Sequence, residues 1–235
     1  MAKPVGFDQK LTLSQLNTTA NELRFTPVNK MYARLDELLE YEIKGVKSRK
    51  NAITILMKIW ALGSLEHKHL QEQALDFYPD ATQDEKKLLH WGLSLLAYPF
   101  FAKLVEETAH FLSIQKNVPA QQISRKMKAS YGDRRRVEVA TSAVLSSMKS
   151  WEVLAADKGR TYTVPQRIPI HQPDLKNWCV EVLFQLSEYQ YLPWQHVASS
   201  MAFFPFALNL QRGELDMERF KVDRQGVDAE MVSVR

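Results

Sequence analysis

Apolar residues recur three and four positions apart through most of the first 150 residues, the spacing that gathers them on one face of an α-helix. Met31, Leu35, Leu38 and Leu39 give a helix over residues 28–43, interrupted by Gly45. Ser48 is placed to cap a second helix that carries Ile53, Leu56, Met57, Trp60 and Ala61. A shorter helix over 65–77 ends before Pro79. Thr82 with Glu85 three positions on is a capping box, opening a strongly apolar helix through Ala97. Pro99 starts another, with Leu104, Ala109 and Phe111 inward, and Pro119 suits the first turn of a helix to Ser130.

The pattern changes after Tyr131-Gly132. Asp133 is placed to cap a long helix whose stripe is Val137, Ala140, Val144, Leu145 and Met148, ending near Trp151. Two short β-prone runs, 151–154 and 161–164, flank a turn in which Gly159 supplies the left-handed position. Pro165, Pro169 and Pro173 mark a boundary. Asp174 then caps a helix to about Tyr189, Pro193 starts a further one, and Phe203, Phe204, Pro205 and Phe206 form an apolar knot. A closing hairpin is expected from 220–223 and 231–234 around a turn at Arg224-Gln225-Gly226.

The pattern predicts a mainly α, all-helical class of protein in three parts: an N-terminal helical domain (1–115), a helix–turn–helix with a β-hairpin (116–170), and a helix-and-hairpin module (171–235). No repeat of fixed period is present, yet the last part echoes the order helix, helix, hairpin. Two helices joined by a Tyr-Gly turn and followed by a hairpin is the element order of a winged helix. The C-terminal module is open to reading as a second one.

Composition narrows the class. With 45% hydrophobic residues among 235, the chain can bury a real core, which argues against disorder. The single Cys179 excludes an internal disulfide framework and suits a reducing compartment. No apolar run approaches the roughly 20 residues of a membrane helix, and the first ten residues hold no signal-peptide core. A cytoplasmic protein with no membrane partner is expected.

Charge is unevenly placed. Between Gln115 and Ile170 eleven Lys or Arg stand against four acids, a net +7, so a chain of net +4 leaves −3 for the rest. Such asymmetry favours a polyanionic partner. In a winged helix the second helix leads with its first residues into the DNA major groove, and the hairpin lies along the backbone. Here the leading end is Arg134, Arg135 and Arg136, the wing tip is Lys158 and Arg160, and Arg125, Lys126 and Lys128 lie on the preceding helix. Cations at a helix start oppose its dipole by about 0.3–1 kcal/mol each, an arrangement that an incoming phosphate reverses. A second cluster, Lys44, Lys47, Arg49 and Lys50, feeds another helix start, and Lys47, Arg49 and Lys50 join the candidate set.

Enzymatic readings find little support. His67 and His69 are two apart, which on a helix separates them, and no zinc spacing occurs. Glycine-loop and nucleophile-elbow motifs are absent, and Cys179 sits in an apolar stripe as a core residue would. No catalytic residue, metal or cofactor is expected.

The order of features resembles the BrxA proteins of BREX phage-defence systems. The resemblance rests on 47–52 opening a helix, on Asp84-Glu85-Lys86-Lys87-Leu88-Leu89-His90-Trp91, on Tyr98-Pro99-Phe100, and on Arg134-Arg135-Arg136-Val137 before a helix ending at Trp151-Glu152-Val153-Leu154. It covers about Leu35 to Ile170 and gives no account of the C-terminal part. It implies a non-catalytic, double-stranded-DNA-binding subunit of an antiviral defence complex, with other defence proteins as partners; a homo-oligomer is a separate expectation. Two other functions stay open: a winged-helix transcriptional regulator, and a protein-interaction adaptor whose basic face meets an acidic partner. The residues alone leave DNA and RNA both open.

Overall fold

The computed structural model describes residues 3–225 and 229–235. Its first helix has no counterpart in the expected elements. The Gln15 backbone donates to the Thr12 hydroxyl (3.2 Å) while the Thr12 backbone donates to the Gln15 side chain (3.1 Å), a reciprocal cap that opens α1 (Leu13–Leu23). A 3₁₀ turn at Val28–Lys30 leads into α2 (Met31–Leu38), shorter than the expected helix. Helix α3 (Val46–Trp60) is capped at Gly45 and not at Ser48. Helix α4 (Lys68–Phe77) follows, then α5 (Gln83–Ala97), which has the expected capping box at Thr82. Helix α6 (Pro99–Ile114) starts at its proline. Helices α5 and α6 meet at a bend of 116°, and among the described residues no single helix is long and apolar enough to cross a membrane.

The next unit runs β1 (Val118–Pro119), α7 (Ala120–Tyr131), α8 (Arg135–Ser150), β2 (Ala155–Ala156), β3 (Thr161–Thr163). Gly132 stops α7 with a positive φ of 89°, as the Tyr-Gly turn requires. The strands form an antiparallel sheet in the order β1-β3-β2, with Val118 opposite Tyr162 and Ala156 opposite Tyr162 on the other side. Three local expectations are corrected. Asp133 does not cap α8: the cap is Arg134, and the Asp133 carboxylate pairs with Lys128. Residues 151–154 are not a strand, because Trp151 closes α8 with its indole donating to the Leu11 carbonyl (3.1 Å) and Glu152 turns the chain at a φ of 62°. The left-handed residue of the hairpin turn is Arg160 (φ 56°), not Gly159.

Strand β4 (Ile168–Pro169) runs parallel to β6 (Phe206–Ala207). Between them lie α9 (Pro173–Leu186), β5 (Tyr191–Pro193) and α10 (Trp194–Ala198); β7 (Phe220–Gln225) and β8 (Ala229–Val234) close the fold. Helix α9 begins at Pro173 with Gln172 as its cap, so Asp174 lies in the first turn. The hairpin forms with longer strands than expected, and its Gly226 lies outside the described residues. The strand order is β5-β8-β7, so the first strand of each unit pairs with its last.

The likeness of the two units extends to their sequences. Val118-Pro119-Ala120-Gln121-Gln122-Ile123 matches Leu192-Pro193-Trp194-Gln195-His196-Val197 as apolar, Pro, any, Gln, any, β-branched. Pro119 (φ −62°, ψ 136°) and Pro193 (φ −57°, ψ 138°) take the same extended turn into α7 and α10. Each helix then buries its fourth residue, Ile123 or Val197, completely. The second unit has no equivalent of α8, because residues 199–219 form a strap of short turns and β6 instead.

Small sheets correct the all-helical class to a mainly helical one. One buried core also runs through all three expected segments without a break. Trp91 of α5 packs edge-on against Phe101, Trp151, Phe204 and Phe206, which joins α6, the end of α8 and the strap. Its indole also donates to the Ala202 carbonyl (2.8 Å).

Candidate nucleic-acid interface

Helix α8 presents three different sides. Along one runs the N-terminal segment of residues 3–11: the Leu11 backbone donates to the Ser147 hydroxyl (2.9 Å), and Arg136 meets Asp8 (3.3 Å). On the inner side Val137, Ala140, Val144 and Met148 are wholly buried. The remaining side carries Arg135, Val139, Ser142, Ser146 and Lys149, and the last three of these border a cleft of about 830 Å³ between α7, α8 and the β2–β3 turn.

This cleft collects cations from three elements. Arg125 and Lys128 come from α7, Lys149 from the end of α8, and Arg160 from the turn. Two acids, Glu138 and Asp157, also line it, and both are already engaged. Glu138 and Asp133 (2.9 Å) hold the Lys128 ammonium between them, and these contacts raise the Lys128 pKa, Glu138 first. Asp157 accepts from the Thr161 backbone (2.9 Å), shaping the turn. Arg125, Lys149 and Arg160 have no carboxylate partner among the described residues. Ser124, Ser142 and Ser146 add hydroxyls.

The expected arginine triplet divides. The Arg134 guanidinium donates to the Tyr131 (2.9 Å) and Lys3 (3.0 Å) carbonyls, tying the end of α7 to the N-terminal segment. Arg136 is exposed but pairs with Asp8. Arg135 is exposed with no such partner among the described residues. Lys126 and Lys158 are also exposed.

The second cluster divides as well, with one correction. Arg49 is only 4% exposed and donates to Asp36 (2.7 Å) and to the Ile43 carbonyl (2.9 Å), so its guanidinium is withdrawn from any surface contact. Lys47 and Lys50 remain exposed. Asp8 connects the clusters: one carboxylate oxygen accepts from Asn51 of α3 (3.1 Å) and the other from Arg136 of α8. The starts of α3 and α8 are therefore neighbours. Pattern reading missed Asp8 and Lys149, although the spacing 135, 139, 142, 146, 149 already marks one helix face.

The acidic remainder is also localised. Residues 171–235 hold nine acids against six Lys or Arg, a net −3, which leaves residues 1–114 neutral. The two units of like strand order thus carry opposite charge. Cys179 is wholly buried and burial raises its thiol pKa, as expected of a core residue. Among the described residues no three His, Cys, Asp or Glu side chains group as a metal site would require. Comparison with known protein families, with curated proteins and with solved structures finds no match to this chain.

Proposed function

We propose that this protein is a non-catalytic duplex-DNA-binding subunit, acting in the cytoplasm as part of an anti-phage defence complex of the BREX kind. The observation that carries the reading is the convergence of Arg125, Lys149 and Arg160, from three elements, on one open cleft. Helix–strand–helix–helix–strand–strand with the first strand paired to the last is also the order of a winged helix, and it supports reading β2–β3 as the wing. The net +7 of this unit supplies counterion release, the main sequence-independent source of affinity for a duplex. The defence assignment rests on the resemblance to BrxA proteins alone.

A salt-titrated binding assay on a random-sequence duplex tests the reading. Affinity should fall steeply as salt rises, and the triple variant Arg125→Ala, Lys149→Ala, Arg160→Ala should bind more than about tenfold more weakly. Its salt slope should be shallower by about 0.9 for each phosphate that is no longer neutralised. Equal affinity of wild type and triple variant would remove this site from the reading.

A further inference from the structure

The outward side of α8 has a composition that neither a solvated helix nor a general phosphate binder needs. At about 100° per residue, Arg135, Val139, Ser142, Ser146 and Lys149 fall within about 40° of one line. The two ends of the line are cationic, and its middle is small and uncharged. Val139 is 45% exposed, an apolar side chain between Arg135 and Ser142 on a side whose Ser142, Ser146 and Lys149 line the cationic cleft. The acid nearest this line, Glu138, is held by Lys128, so it does not repel an approaching backbone.

We propose that this face reads base sequence in duplex DNA: Val139 packs on a thymine methyl group, Ser142 bonds a neighbouring base edge, and Arg135 and Lys149 hold the flanking phosphate backbones. The inference rests on the DNA-binding reading above. The helix from Arg135 to Lys149 spans roughly 21 Å at about 1.5 Å per residue. That exceeds the roughly 12 Å width of a B-form major groove, so the end cations reach the backbones while the small middle residues sit over base edges. Short side chains at 139, 142 and 146 allow the helix axis to come close. The C5-methyl of thymine is the one apolar group displayed in that groove, and a lone exposed valine matches it. An A-form duplex closes its major groove to a helix, so the same face rejects double-stranded RNA.

The experiment is selection of full-length protein on a random duplex library, followed by affinity measurements on the enriched sequence with deoxyuridine replacing each thymine in turn. One replacement, which deletes only the methyl group, should weaken wild-type binding by about fourfold, the factor expected for one buried methyl group. Val139→Ala should bind the thymine and uracil forms equally. Both positions are solvent-facing on a helix, and Val139→Ala and Ser142→Ala each raise helix propensity, so the variants fold. Retention of DNA with no enriched motif, or equal uracil sensitivity in wild type and Val139→Ala, overturns base reading and leaves DNA binding standing. Failure to retain any duplex at low salt overturns DNA binding itself.

Discussion

The indole of Trp178 occupies the space a side chain at position 92 would need: a β-carbon built on Gly92 falls 2.4 Å from Cη2 of Trp178. The glycine is in α5, the tryptophan in α9, and the indole N–H donates to the Leu70 carbonyl of α4 (3.1 Å). Three helices are therefore fixed by one residue that lacks a side chain. Gly92→Ala must displace a wholly buried indole, at a cost of about 3 kcal/mol. Urea unfolding of Gly92→Ala, Trp178→Leu and the double variant checks this. The double variant should be much less destabilised than the sum of the singles, and simple additivity would contradict the contact.

His90 gives the fold a dependence on acidity. Its Nδ1 accepts from the Trp60 indole (3.2 Å), leaving the proton on Nε2 toward the Asn17 oxygen (2.9 Å), which also accepts from Tyr78 (2.6 Å). Burial in this apolar network, with Lys86 nearby, pushes its pKa down from 6.5 to about 3. Between those values the unfolded chain binds a proton that the native state refuses, so stability is intact above pH 7 and declines as pH falls from 6.5 toward 3. By pH 5 the loss from this residue is about 2 kcal/mol. Unfolding midpoints of wild type and His90→Gln, compared from pH 7 to 4, should converge as pH falls. Parallel curves would rule out His90 as the source.

The three adjacent arginines separate by assay. Arg134→Ala removes a charged donor from two carbonyls and should cost about 1.5 kcal/mol of stability with no change in the salt slope of DNA binding. Arg135→Ala should do the reverse, leaving the unfolding midpoint in place and lowering affinity. A loss of affinity in both, with neither destabilised, would contradict this division.

Arg49→Ala tests the correction in the second cluster. Removing the guanidinium leaves the Asp36 carboxylate, whose pKa Arg49 holds low, and the Ile43 carbonyl without their donor, and should lower the unfolding midpoint in denaturant. The folded variant should keep its DNA affinity, whereas Lys47→Ala with Lys50→Ala should lower it. Weaker binding by folded Arg49→Ala would return it to the contact surface.

Helix positions in the chain are legible wherever an apolar stripe coincides with a stop or start signal, as at Thr82, Pro99 and Gly132. Helix α1 escapes because half of its buried face is polar, Gln15 and Thr19 beside Leu16 and Ala20, although Thr12 and Gln15 make the same capping signal as Thr82 and Glu85. The first strand of the hairpin lies just beyond its sequence signal, since Trp151, Val153 and Leu154 are β-prone by type but buried for tertiary reasons. Strand β1 is invisible in the sequence because two residues carry no periodicity, and only pairing with Tyr162 defines it. The basic segment is readable as a charge count. Which of its cations are free is not, because that depends on the remote partners Lys3 and Asp8, which approach α8 only in the folded chain.

The pairing of each unit's first strand with its last has a consequence for synthesis. Strand β3 is the middle strand of β1-β3-β2, yet it leaves the ribosome after the other two, and β8 stands in the same relation to β5 and β7. At roughly 5–20 residues per second, β1 waits several seconds for the strand it pairs with. During that interval α7 and α8 have emerged with their cations while the hairpin that flanks them has not closed. Chaperone contact or premature capture by a polyanion is therefore most consequential before Thr161–Thr163 emerge.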